Sequence, residues 1–413
     1  MAKSNIICGI DIGNSNVKTV IADLNSETYA PRIIGVGNAP SQGLRRGDIV
    51  DIEETINDIG NSVRQAQNMA GVNVSRAYVA LNGLHIKSQL SHGVVAVARP
   101  DSEITPSDIS RVTDAASTIS LPPNYEIVHI IPRGFTIDSN EHIKNAVGMK
   151  GVRLEADVLI IEALTQHMRN LAKCVNANNI EIEEFVYAPM AAAQSVLNKH
   201  QREYGTLLVD FGGGVTSTTL FFEGELLHTS VLPIGSKYLT HDITIALRTE
   251  MDKAELIKLN YGQIGEVVLV SKRNDIVDVS ELIGEEETSI SRKQISKIID
   301  ARVSDLFDFI NGELKKVTAP YMLPAGIVLV GGGSKLPGII DTAKNQLRLS
   351  VHRGKNRNFD GLSVQIDDPG FAVAAGLIAW GADGMIPNKK KLGGIAMPGF
   401  VKKIKGWFRN FLP

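Results

Sequence analysis

Short apolar runs broken by turn-forming residues open the chain. Residues 6–12, 17–24 and 32–37 read as strands, separated by Gly13-Asn14-Ser15 and Asn25-Ser26-Glu27, residue types that bend the backbone through positive φ or local side-chain hydrogen bonds. Strands so closely spaced predict a hairpin-linked meander rather than a parallel crossover unit. The period then changes: residues 52–70 fit a helix that Asp51 caps and Gly71 ends, and 76–81 read as a further strand. Part of this pattern returns near residue 205, where Leu208-Val-Asp210-Phe-Gly212 repeats the strand and Asp-x-Gly turn of Gly9-Ile-Asp11-Ile-Gly13. One such turn is commonplace; two in the same strand context predict a duplicated α/β unit. A third apolar strand, Ile327-Val-Leu-Val330, runs into Gly331-Gly332-Gly333-Ser334, with a helix expected from about Pro337. Residues 82–162 hold short β-rich runs at 93–98 and 126–132 and a helix near 107–119 capped by Thr105-Pro106, whereas 241–300 is more helical and charged. Both stretches read as insertions.

Composition narrows the class. At 413 residues, 43% hydrophobic and 21% charged, the chain exceeds what one core organises, so two or more domains are expected. Cys8 and Cys174 stand apart with no CxxC pattern, which argues against a disulfide framework or a cysteine zinc site and for a reducing compartment. Met1-Ala2-Lys3 leads straight into a strand without the long apolar core of a signal peptide. No apolar run nears the roughly 20 residues that cross a bilayer, and no basic groove with interleaved aromatics points to nucleic acid.

The charge is unevenly placed. A net −2 hides a tail with seven basic residues and no acidic one from Lys389 onward, which implies an anionic partner for the tail. There Phe400, Val401, Ile404, Trp407, Phe408, Phe411 and Leu412 recur at helical spacing, and Lys402, Lys403, Lys405 and Arg409 occupy the other face. Such a stripe could dock on the protein's own core or fill a partner's groove. A purely basic polar face, concentrated aromatics and a Gly/Pro/Lys linker favour an interfacial membrane helix, to which each cation adds about 1 kcal/mol near an anionic surface.

The candidate chemistry lies in the glycine turns. Glycine at a strand end lets backbone N–H groups approach a phosphate closely. Asp11 and Asp210, facing each other across a cleft between duplicated halves, can hold Mg²⁺ through its waters, and Lys18 can neutralise phosphate charge. Alone, each element also reads as a tight turn with a capping Asp.

These residues resemble the actin, chaperone and sugar-kinase superfamily. Asp11, Gly13, Asn14, Ser15, Asn16 and Lys18 resemble its first phosphate loop, and Asp210, Gly212, Gly213, Gly214 and Thr216 its second. Gly331, Gly332, Gly333 and Ser334 resemble its adenosine loop. Glu255 and Lys258, in Ala254-Glu255-Leu-Ile-Lys258, are similar to a ribose-binding pair, although a surface ion pair would look the same. Within that superfamily Tyr78-Val-Ala-Leu-Asn82-Gly83, His129-Ile-Ile-Pro132, Ile143-Lys-Asn145-Ala-Val-Gly148-Met-Lys-Gly151-Val-Arg153 and Asp368-Pro-Gly370-Phe-Ala-Val-Ala-Ala-Gly376-Leu are similar to the FtsA family of bacterial cell division, along nearly the whole chain.

The resemblance implies an α/β, actin-like fold of duplicated ribonuclease-H-type domains around a nucleotide cleft, with two inserted subdomains and a C-terminal amphipathic helix. Its boundaries here would be 1–83 with 163–200 and 371–386, an insert 84–162, 201–240 with 303–370, a second insert 241–302, a linker 387–399 and the helix 400–413. It implies binding of ATP and Mg, self-assembly into filaments, and tethering of FtsZ polymers to anionic lipids at the cytoplasmic face of the cell membrane at the division site. Later division proteins would be recruited there. The FtsZ tail is expected near Arg292, Lys293, Lys297 and Arg302, cations that could equally form a solvated helix face. Relatives that hydrolyse ATP briskly carry Glu or Gln where Tyr187-Ala188-Pro189 places Ala188, so weak or absent ATPase activity is expected. Two alternatives share the loops: the actin-like cytoplasmic component of type IV pilus assembly, and a phosphotransferase of the sugar-kinase branch.

Overall fold

The computed structural model describes residues 6–24, 30–98, 101–265, 276–280, 289–317 and 323–385. The linker 387–399 and the segment 400–413, with every tail residue named above, lie outside them. The chain divides into two compact units, Met1–Ile86 with Gln166–Ala382 and Lys87–Thr165 with Asp383–Pro413.

The larger unit contains the same sheet twice. In the first, the meander Ile6–Ile12, Asn16–Leu24 and Pro31–Pro40 is extended on its inner side by Arg76–Leu81 and Glu181–Tyr187, both parallel to Ile6–Ile12, and at its far edge by Asp360–Gly361. In the second, Thr206–Phe211, Thr216–Phe222 and Glu225–Leu232 form the meander, and Ile327–Val330 and Val351–Arg353 extend it in parallel. Both sheets thus run third strand, second, first, fourth, fifth, and both place an Asp-x-Gly turn where the first strand ends. The duplication expected from the two turns is present in the backbone.

Helices cover the sheets at close range. Asp51 accepts from the Glu54 N–H to cap Ile52–Ala70, and Gly71 closes it at φ 67°, the left-handed ending that glycine favours. Gly35 and Gly37 leave no room for a side chain beneath that helix at Ala66 and Ser62. The last described helix, Ala372–Met385, presses Gly376 against the Ala191 carbonyl of Ala188–Val196. Around the second sheet Phe211, Ile257, Ile299, Phe307 and Leu329 share one core, to which the long helix Arg292–Val317 gives the fully buried Val303 and Ile310. Both cysteines are free and buried, and burial pushes the Cys8 thiol up to about 12.

The smaller unit is an antiparallel sheet ordered Lys87–Ala96, Arg153–Leu164, Tyr125–Ile137, Asn140–Ile143, with the helix Pro106–Ser117 on one face. The first strand starts six residues before the expected 93–98 and ends two short of it, and the other extends beyond 126–132 to Ile137; the polar Lys87-Ser-Gln start hides the strand period. The helix expected from about Pro337 is present, starting two residues on. The glycine cluster tightens into a 3₁₀ turn, Gly332–Lys335, and Gly338 at φ 85° delays the helix to Ile339–Leu347.

Candidate functional site

The two meander turns are built alike. Gly13 N–H donates to the Asn16 carbonyl at 3.1 Å, and Gly212 N–H to the Val215 carbonyl at 3.1 Å. In each, a side chain on the glycine would press on that same carbonyl at 2.9 Å, so the turn requires glycine. The antiparallel register sets Lys18 opposite Asp11 and Ser217 opposite Asp210, so the one ladder cation, Lys18, serves both carboxylates.

The turns meet. Gly213 lies against Ser15, Gly214 against Asn14, and Gly331, at φ 82°, against the Asp210 carboxylate. Together they wall a cavity of about 480 Å³, within the range of small-ligand sites, lined also by Asn16, Lys18, Glu255, Lys258, Gly332 and Gly333. Of the cleft residues expected from the sequence, Thr216 and Ser334 do not line it. Both are fully buried, their hydroxyls donating to the Ile234 and Gly331 carbonyls, where they brace the turns.

Electrostatics mark the cavity floor. Burial raises the Asp11 carboxyl, against the pull of Lys18. Burial and the neighbouring Asp11 charge push Asp210 up to about 7. Two carboxylates short of positive charge are the donor set that a hydrated divalent cation would neutralise. Lys18 donates to the Gly370 carbonyl at 2.6 Å. On the wall, Glu255 and Lys258 project from Met251–Tyr261; the Lys258 ammonium donates to Glu255 at 2.7 Å and to the Thr240 hydroxyl at 2.9 Å, and that hydroxyl donates to the same carboxylate oxygen. Lys258 thus orients Glu255 as well as facing the cavity.

Several contributors escape sequence reasoning. Lys237, in the first turn of Ser236–Leu247, donates its main-chain N–H to the Gly213 carbonyl and its ammonium to the Asn14 carbonyl at 2.6 Å, fastening one glycine turn to the other. The signal was present in Gly235-Ser236-Lys237, a glycine at a helix start followed by a cation. Asn82 and Lys335 also line the cavity, Asn82 accepting from Ser217 and Lys335 paired with Asp368 at 2.8 Å. Ala188 lines it too, as the first residue of its helix.

The four cations expected to meet a partner tail differ in setting. Arg302 is engaged bidentately by Asp242 at 2.7 and 2.9 Å, and Arg292 lies over the Tyr261 ring. Lys293 and Lys297 are exposed, one turn apart on Arg292–Val317. Among the described residues no helix is long and apolar enough to cross a membrane.

Comparison with known proteins adds identity to this geometry. Residues 207–376 match the model for cell division protein FtsA, and 83–162 match that for the SHS2 domain inserted in FtsA. The cell division protein FtsA of Pseudomonas aeruginosa is 34% identical over 92% of this chain and 91% of its own, and that of Borreliella burgdorferi 33% over 98% of each. Among solved structures, a PilM-PilN type IV pilus biogenesis complex aligns with TM-score 0.65 at 17% identity, covering 91% of this chain and 98% of that one. MreB5 of Spiroplasma citri bound to AMPPNP aligns at 0.53 and 13%, covering 99% and 100%. The fold is therefore actin-like, and the chain belongs to the FtsA family of cell-division proteins.

Proposed function

We propose that the chain binds a magnesium–adenine nucleotide in this cleft, self-assembles, and tethers FtsZ polymers to the cytoplasmic face of the membrane at the division site, where later division proteins gather. One observation carries the nucleotide part: three glycine turns, an under-compensated carboxylate pair and a Glu–Lys wall converge on one cavity. Glycine-turn N–H groups and Lys18 suit phosphate oxygens, Asp11 and Asp210 suit Mg²⁺ through its waters, and Glu255 suits ribose hydroxyls. The solved MreB5 neighbours carry ADP and AMPPNP. Ala188 cannot polarise an attacking water, so the nucleotide acts as a conformational or assembly ligand with slow or no turnover.

The membrane part rests on the amphipathic, basic segment 400–413. A single such helix binds reversibly, and polymerisation strengthens it by avidity. For the acidic FtsZ tail, Lys293 and Lys297 are the exposed members of the expected set. The pilus reading has a shared fold behind it but no comparable identity. A sugar kinase would need a further cleft base, and Asp11 and Asp210 are the only aspartates among the described residues lining the cavity.

Co-sedimentation with anionic liposomes, with and without Mg-ATP, tests the tether. The full chain should pellet with lipid, and a version truncated after Pro387 should stay in solution. If both stay soluble in every condition, the stripe docks on protein and the tether fails.

A further inference from the structure

Away from the cavity floor, Asp48, His85 and His167 gather their donor atoms within 4.8 Å of one another. The Nδ1 atoms of both imidazoles lie 3.4 Å from the same Asp48 Oδ1. A tetrahedral ion with ligand bonds of 2.0–2.1 Å has donor–donor edges of about 3.3 Å. Two edges of the trio, from Asp48 to each imidazole, therefore already have the spacing of such a shell, and the third lies within 4.8 Å.

Three further observations point to a ligand. The His85 side chain is 5% exposed, yet neither of its ring nitrogens has a hydrogen-bond partner; a buried polar group left so costs about 1–3 kcal/mol. Its ring stacks on His167 with centroids 3.8 Å apart, instead of pairing with a carbonyl or hydroxyl. Space for it is kept by Gly83, where a Cβ would fall 2.6 Å from the imidazole. Asp48 is 55% exposed, which leaves an approach from solvent.

We propose that Asp48, His85 and His167 form a binding site for a divalent transition-metal ion of the zinc class, with water completing the shell. Two imidazoles and one carboxylate favour zinc or cobalt over magnesium or calcium, which take oxygen ligands. Binding opens the stacked rings slightly so that both lone pairs converge on the ion. The site does not depend on the nucleotide reading. It does adjoin the cleft: Gly47, next to Asp48, lines the cavity and donates to the Asn14 side chain at 3.0 Å. His85 also precedes the smaller unit by two residues and His167 follows it by two, so one ion would clasp both ends of that excursion to Asp48, which sits in a short antiparallel ribbon of Leu44–Arg45 and Asp48–Ile49.

Titrating Co²⁺ into tag-free, metal-stripped, full-length protein without nucleotide tests this. The expected result is a visible d–d absorption band of four-coordinate cobalt that saturates at one equivalent and is displaced by Zn²⁺. Asp48→Asn, a change at an exposed side chain that leaves folding intact by circular dichroism, should weaken binding at least about tenfold, since even groups that only orient metal ligands are worth 10–100-fold. His167→Gln should do the same. The proposal is overturned by the absence of a band, by a band that survives both substitutions, or by one that Asp210→Asn removes, which would assign the metal to the cleft.

Discussion

Lys237 is held at both ends by main-chain atoms of opposing turns, Gly213 and Asn14, and burial lowers the pKa of its ammonium. Lys237→Ala should weaken Mg-ATP binding about tenfold, the value of one charge-assisted hydrogen bond, with little change in melting temperature; a fluorescent ATP analogue measures it. His92, in the smaller unit, donates to Asp157 at 2.9 Å and lies 3.0 Å from Glu155. The Asp157 hydrogen bond, then the two carboxylate charges, raises its pKa above the ordinary 6.5. A raised folded-state value means that the stabilisation is complete below 6.5 and disappears as pH climbs through the raised value. His92 is half exposed, so the gain stays under about 1 kcal/mol. Its NMR titration midpoint should exceed 6.5 and fall back in Asp157→Asn. Single residues of this kind were the least legible in the sequence: the Asp-x-Gly turns declare themselves through local chemistry, whereas Lys237 and Asn82 gain their places only when distant strands meet.

Among the elements, the helix pair Ala188–Val196 and Ala372–Met385 is set by one glycine. With Gly376 against the Ala191 carbonyl, Gly376→Ala must push two buried helices apart, and overpacking of this kind costs about 1–3 kcal/mol. Urea unfolding should show the midpoint falling with the slope unchanged. Strands with a buried face, such as Arg76–Leu81, lay where their apolar period predicted. In the smaller unit the polar start Lys87-Ser-Gln and the exposed apolar Leu90, 61% exposed, together blur the strand period. Asp51 and Gly71 marked the ends of their helix correctly because capping chemistry is local. The short edge strand Asp360–Gly361 has no local signal, as it exists only through its pairing with Pro31–Pro40.

At the scale of the molecule, the smaller unit leaves and returns through paired strands, Lys87 standing opposite Glu162 in the ladder. Replacing 88–161 with a two-glycine link should leave the remainder folded, since Lys87 and Glu162 stand about one inter-strand spacing apart; a single cooperative melt would confirm it. The duplication was legible because two turns of like chemistry sat in like strand settings, and the full sheet order was not, because it depends on strands more than a hundred residues apart. The contact between those turns also has a consequence in time. With Gly213 on Ser15 and Gly214 on Asn14, a change that forces these turns apart acts on both sides of the cavity at once. On the proposed nucleotide reading, such a change should shorten the bound lifetime more than it alters the encounter rate.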